Sequence, residues 1–133
     1  MIRFYSTTSF HNAIEKLLSA KRGVYKGVTD AVQSAFENLS MDDILNMRDM
    51  ILMENDRVVI KLRMADKKAK LSKRDGYRLI YVAFKHEEVV GLLYVYPKRG
   101  PMQQINVSDE ELTHLIDEFS TEYQNGNIKK WNN

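Results

Sequence analysis

The chain reads as an α+β domain, on three observations. Apolar residues recur at helical spacing through the first fifty positions. The period then switches to two between Val58 and Tyr96, and a capped helical stripe closes the chain. Helices followed by strands, rather than strict alternation, predict helices packed on one face of a small antiparallel sheet. With 133 residues and 44% apolar content, one domain spanning 1–133 can bury its own core.

Ile2 to Tyr5 reads as a short opening strand. Ser9 stands where an N-cap belongs, before a stripe of Phe10, Ala13, Ile14, Leu17 and Leu18. Gly23 and Gly27 read as turn glycines. A second helix is expected from about Lys26 to Leu39, with Val28, Ala31, Val32, Ala35, Phe36 and Leu39 on one side. Ser40 restarts the chain, and Asp42 and Asp43 in the next turn favour the helix dipole. This third helix, carrying Ile44, Leu45, Met47, Ile51 and Leu52, is expected to fade near Asn55 and Asp56. Its methionines suit a soft core or an adaptable binding surface.

From Val58 the strand signals begin. Val58, Ile60, Leu62 and Met64 alternate with Val59, Lys61 and Arg63, so one face is apolar and the other becomes cationic. Asp66 to Asp75 is a polar loop. Tyr77 to Phe84 is a β-branched and aromatic strand, Lys85 to Glu88 a hairpin turn, and Val89 to Tyr96 its return. Pro97 should end the sheet. Ser108-Asp109-Glu110-Glu111 has capping-box form and opens a last helix with Leu112, Leu115, Ile116, Phe119 and Tyr123 on one face. Residues 125–133 read as a loose tail in which Ile128 and Trp131 are candidates to dock.

Net charge is only +2, but it is unevenly spread. Arg57 to Arg78 holds nine Lys/Arg against Asp66 and Asp75, whereas Asp109 to Glu122 holds six acids and no Lys or Arg. Such polarity marks one face for an anionic partner. There are no cysteines, so no disulfide framework and no thiolate metal site. Met1 to Phe10 lacks the apolar run of a signal peptide, and no segment approaches the length of a membrane span, so a cytoplasmic protein is expected. His11, His86 and His114 show no ligand spacing, and no metal or cofactor is expected. The chain has no P-loop, nucleophile elbow or Rossmann fingerprint.

The residues that carry chemistry are cationic. Cutting RNA without a metal needs a base for the 2′-hydroxyl, an acid for the leaving 5′-oxygen, and cations for the phosphorane. Lys61 and Arg63 lie at i and i+2 on one strand, Arg78 on the next, and Arg99 just past the third. Arg78 shares its alternation with Ile80, Val82 and Phe84, so a charge stands in an apolar line and requires a partner or ligand. Lys67, Lys68, Lys70, Lys73 and Arg74 read as a mobile basic loop for phosphate contacts. Lys98, Tyr94 and Tyr96 add a cation and two rings able to stack on bases. A solubilising charge pattern and ordinary sheet tyrosines would leave the same signature.

Gly76-Tyr77-Arg78-Leu79-Ile80-Tyr81 resembles the most specific strand of the RelE/HigB superfamily of bacterial toxins. Leu92-Leu93-Tyr94-Val95-Tyr96-Pro97-Lys98-Arg99 resembles its last strand, and Ser108-Asp109-Glu110-Glu111-Leu112 the final helix of the HigB-like branch. The similarity covers about residues 57–120, and the N-terminal half by layout alone. It implies a RelE-like fold and a toxin, neutralised by a cognate antitoxin, that cleaves mRNA in the ribosomal A site without a metal. By position, Arg78 and Arg99 would stabilise phosphate, Lys61 would be a base or charge-stabilising group, and Arg63 would support them. Members with a catalytic Tyr after the Lys-Arg pair have no counterpart here. That segment reads Gly100-Pro101-Met102-Gln103-Gln104-Ile105, which leaves proton transfer unassigned. The helix around 41–54 is an addition to the compact members.

Two other readings stay open. A ParE-like toxin would use the same fold to poison DNA gyrase. A non-catalytic module would bind a protein through its Met-rich third helix. An antitoxin under the toxin readings would use acidic segments to cover the basic groove or would displace the final helix.

Overall fold

The computed structural model describes residues 1–47, 50–54 and 56–131. Its elements run β1 (Arg3–Ser6), α1 (Thr8–Leu18), a 3₁₀ turn (Lys21–Gly23), α2 (Val28–Ala35), α3 (Met41–Leu45), β2 (Met50–Glu54), β3 (Arg57–Met64), β4 (Tyr77–Phe84), β5 (Val89–Pro97), α4 (Asp109–Gln124) and β6 (Lys129–Lys130). The α+β class is as expected. The sheet is larger than expected and mixed: six strands in the order β2-β3-β4-β5-β1-β6. The β2-to-β5 meander is antiparallel, β1 joins β5 in parallel, and β6 closes the far edge antiparallel to β1.

Both faces of the sheet are covered, each by its own core. Phe10, Ile14 and Leu17 of α1, Val28 and Val32 of α2, and Ile44 of α3 pack on Ile60, Leu79, Tyr81, Val90 and Leu92. On the opposite face Phe119 of α4, with Leu112, Leu115 and Ile116, packs on Val59, Ile80, Val82, Val89 and Leu93. The expectation of helices on one face therefore holds for the N-terminal helices only. No helix among the described residues is long and apolar enough to cross a membrane.

Local chemistry moved several boundaries. Thr7, not Ser9, caps α1, its hydroxyl accepting from the Phe10 N–H. Ser9 instead donates to Glu118 of α4 at 2.9 Å, and Glu122 accepts from the Thr8 N–H. Two carboxylates from α4 thus serve the positive end of α1. The Ser40 and Ser108 capping boxes both form.

The third helix stops at Leu45, and Met50–Glu54 is an edge strand on β3. A continuous run of Met-Ile-Leu-Met suits either period, and the open edge of Val58-Val59-Ile60 decides for a ladder. The Asn55-Asp56 pair between two apolar runs was the hairpin signal. Residues 48, 49 and 55 of the expected helix lie outside the described residues, as do 132 and 133 of the tail. The rest of the tail is not loose. Lys129–Lys130 pairs with β1, the Trp131 N–H donates to the Phe4 carbonyl, and the Trp131 ring packs edge-on against Phe10.

Two glycines are dictated by close approach. A Cβ on Gly76, the first residue of the Gly-Tyr-Arg segment, would run into the Met64 carbonyl. A Cβ on Gly91 would enter the ring of Phe119, the main anchor of α4 on the sheet.

Candidate functional site

Strand register builds a cationic surface beside the patch that α4 covers. Lys61 lies opposite Ile80, which lies opposite Tyr94, and Arg63 opposite Arg78, which lies opposite Tyr96. Lys61, Arg63 and Arg78 alternate with residues of the N-terminal core, so they share the α4 side of the sheet with Val59, Ile80 and Val82.

An irregularity in β5 decides which later residues join them. Ile80 pairs with Tyr94 and Tyr81 with Leu92, so Leu93 is an extra residue in the ladder. Before it, Val89, Gly91 and Leu93 face α4. After it the phase is inverted: Val95 belongs to the N-terminal core and Tyr96 to the α4 side. One inserted residue flips every later side chain. Lys98 accordingly lies over the Tyr96 ring at 6.0 Å. Arg99 falls on the other side, lining a cavity of about 230 Å³ with Tyr25, Asp66 and Tyr77. The expectation that Arg99 joins Lys61 and Arg78 is corrected: Lys98 occupies that place.

Arg78 is only 7% exposed. The partner its apolar setting demanded is backbone: its guanidinium donates to the carbonyls of Lys73 (2.8 Å), Arg74 (3.0 Å) and Tyr77 (3.2 Å). Its charge still reaches its neighbours. Burial raises the Tyr96 phenol pKa while Arg78 opposes the rise. Burial lowers the Lys98 pKa below the ordinary lysine value, and repulsion from Arg78 and Lys61 lowers it further.

The basic loop is tied at both ends, contrary to its reading as mobile. Asp66, buried, accepts from the Tyr77 hydroxyl at 2.7 Å and from the Ala69 N–H, and bridges to Leu71. Arg78 holds the Lys73 and Arg74 carbonyls. Lys68 pairs with Asp30 of α2 at 3.0 Å and Arg74 with Asp75 at 3.4 Å, both at the surface. Lys67, Lys68, Lys73 and Arg63 line a cavity of about 560 Å³ between α2 and the end of β3. The backbone of Lys70 has a positive φ of 58° at the loop's turn.

Of the two tyrosines, Tyr96 is 1% exposed and offers no open ring to a base, which corrects its assignment as an RNA contact. Tyr94 is half-buried, lies 6.0 Å from the Tyr96 ring, and accepts a hydrogen bond from the Gln104 side chain at 2.8 Å. Gln104 and two further contacts of the same loop were missed in the sequence. Lys61 donates to Asn106 Oδ1 at 3.3 Å, and Lys98 donates to the Ile105 carbonyl at 2.7 Å. The available signal was two amide side chains, at 104 and 106, soon after a cation.

His11 belongs to a different region, sharing a 2.7 Å hydrogen bond with the buried Ser6 hydroxyl. Among the described residues no cluster of His, Asp and Glu is placed to hold a metal ion. The assembled surface offers Lys61, Arg63 and Lys98 with the buried Arg78 beneath them, one half-buried tyrosine and a loop of hydrogen-bonding groups, a set suited to a phosphodiester with an adjacent base. Set against protein-family models and curated proteins, the chain matches none of them.

Proposed function

We propose that the chain is a RelE/HigB-like toxin: a metal-independent, ribosome-dependent mRNA endoribonuclease of the cytoplasm, held in check by a cognate antitoxin. One observation carries this reading: Lys61, Arg63, Arg78 and Lys98 share the sheet face on which Tyr94 stands half-open. A cationic sheet face beside a tyrosine is what a bent RNA strand requires, with phosphate on the cations and a base on the ring.

The chemistry follows from the charges. The 2′-oxygen attacks the adjacent phosphorus, the bond to the 5′-oxygen breaks, and the products are a 2′,3′-cyclic phosphate and a 5′-hydroxyl. Burial, then repulsion from Arg78 and Lys61, lowers the Lys98 pKa, so among the cations of this face Lys98 is the one we assign to take the 2′-hydroxyl proton. The proton that the departing 5′-oxygen takes up is assigned to Lys61, the other lysine of this face. Arg78 adds positive potential from beneath while it holds the basic loop.

Induced expression in a bacterium tests the proposal, with growth and genome-wide mRNA 5′ ends recorded together. The wild type is expected to arrest growth with new in-frame cuts. Lys61→Met and Lys98→Met should each lower the cut fraction by about 10²-fold or more, the usual worth of a proton-transfer group. These two variants are cleaner than Arg78→Ala, since Arg78 also builds the fold. Arrest with DNA-damage signalling and intact mRNA would transfer the weight to gyrase poisoning. Absence of arrest would favour a binding module.

A further inference from the structure

Three consecutive residues of the loop after β5 each occupy one member of the candidate site. The Gln104 amide donates to the Tyr94 hydroxyl at 2.8 Å, the Ile105 carbonyl accepts from Lys98 at 2.7 Å, and Asn106 Oδ1 accepts from Lys61 at 3.3 Å. The tripeptide thus presents an amide N–H to the Tyr94 hydroxyl and oxygen acceptors to the two lysines. That is the order of groups a nucleotide would present, a base edge followed by phosphate oxygens.

The rest of the loop is anchored independently of the site. At its start the Tyr25 hydroxyl donates to the Arg99 carbonyl at 2.8 Å and accepts from the Met102 N–H at 3.0 Å. At its end Ser108 and Glu111 form the capping box of α4. Between these anchors the Ile105 side chain is 90% exposed, an apolar group left in water while its carbonyl turns to Lys98. Burial of that side chain does not hold the tripeptide where it is; polar contacts do, those with the site together with the Gln104 backbone N–H, which donates to the Pro97 carbonyl at 3.0 Å.

We propose that Gln104-Ile105-Asn106 is an internal stand-in for the RNA strand, an autoinhibitory strap that must leave Tyr94, Lys98 and Lys61 before a phosphodiester can take them. The inference rests on the functional reading above, because it names the ligand the strap imitates. Its contacts with Lys61 and Lys98 are exposed hydrogen bonds to charged groups, and that of Gln104 with Tyr94 is part-buried, so each lysine contact competes with RNA only modestly.

Two substitutions at Asn106 pull in opposite directions. Asn106→Ala removes the acceptor on Lys61. Asn106→Asp keeps an oxygen for Lys61 and for the Val107 N–H, which Asn106 Oδ1 also accepts at 2.9 Å, and adds a negative charge. The probe is a short fluorescein-labelled single-stranded RNA, read by anisotropy at low salt with the full chain. Asn106→Ala is expected to bind about two- to five-fold tighter, and Asn106→Asp weaker by a similar factor, the scale of one exposed charged contact. Lys61→Met and Lys98→Met serve as references for the site itself. If both lysine variants bind less tightly while Asn106→Ala is unchanged or weaker, the strap is overturned and the functional reading stands. If the lysine variants bind as the wild type does, the cationic face is not the RNA site, and both fall.

Discussion

Arg78 is the residue whose structural and chemical roles most need separating, and Arg78→Met separates them. Methionine keeps much of the apolar length of the stem and removes the guanidinium that donates to the Lys73, Arg74 and Tyr77 carbonyls. A hydrogen bond to a charged group contributes about 1.5–3 kcal/mol. The contacts to the Lys73 and Arg74 carbonyls are only part-buried, and water can serve those oxygens after the change. The loss to the loop is therefore about 1.5–3 kcal/mol for the set rather than for each bond. At 1.4 kcal/mol per factor of ten, the open form of the loop should rise about ten- to a hundred-fold. Trypsin reads this directly, because Lys67, Lys68, Lys70, Lys73 and Arg74 are all cleavage positions. Native-state cleavage after Lys73 and Arg74 should accelerate by that factor, since proteolysis follows the population of the open form when closing is fast. Cleavage after Lys16, inside α1, reports global unfolding and should change much less. An unchanged rate in the loop would refute the clamp and leave Arg78 with its charge alone. Equal acceleration at Lys16 would show that Arg78 holds the whole domain rather than the loop.

Two further outcomes follow from the same structure. Gly91→Ala should destabilise the domain by about 1–3 kcal/mol, because its new methyl meets the Phe119 ring, with Cδ2 at 2.6 Å and Cζ at 2.9 Å. In urea unfolding, Gly91→Ala combined with Phe119→Leu should cost less than the sum of the two, and additivity within about 0.5 kcal/mol would remove Phe119 as the reason for the glycine. The His11 pKa is lowered from 6.5, chiefly by burial and then by Lys129, against the opposing pull of Glu15 and Glu122. The unfolded chain therefore takes up this proton at a higher pH than the folded one. The stability His11 contributes is complete above about 6.5 and is lost as pH falls through the lower folded value. Melting temperatures at pH 7 and 5.5 should fall further in the wild type than in His11→Gln, and an equal fall would clear His11 of the effect.

Much of the fold was legible in the order of residues. The stripes of α1, α2 and α4, the alternation from Val58 to Met64, the Lys85–Glu88 turn and the Ser108 capping box all rest on local chemistry, and each forms where its residues place it. Segments without a strong local preference were decided by neighbours. Met50–Glu54 became a strand because β3 had an open edge, and Lys129–Lys130 because β1 had one. Ser9 has the composition of an N-cap, yet Thr7 starts the helix two residues earlier and Glu118 claims the Ser9 hydroxyl.

The candidate site divides along the same line. That a cationic face would form was readable from Lys61, Arg63 and Arg78, because two-residue periodicity places them without reference to the rest of the molecule. Lys98 rather than Arg99 completes that face because Leu93 inserts one residue into β5, and a bulge is a property of two paired strands that no single strand's pattern contains. The same holds for the loop contacts. Gln104 and Ile105 meet Tyr94 and Lys98 by the folding back of the loop after β5, but Asn106 meets Lys61 only after the sheet brings β3 beside β4 and β4 beside β5. The sequence by itself determined which charges and rings share an element, since that depends on spacing along one chain segment. Only the tertiary structure decided which of them meet, since that depends on register between segments distant in sequence.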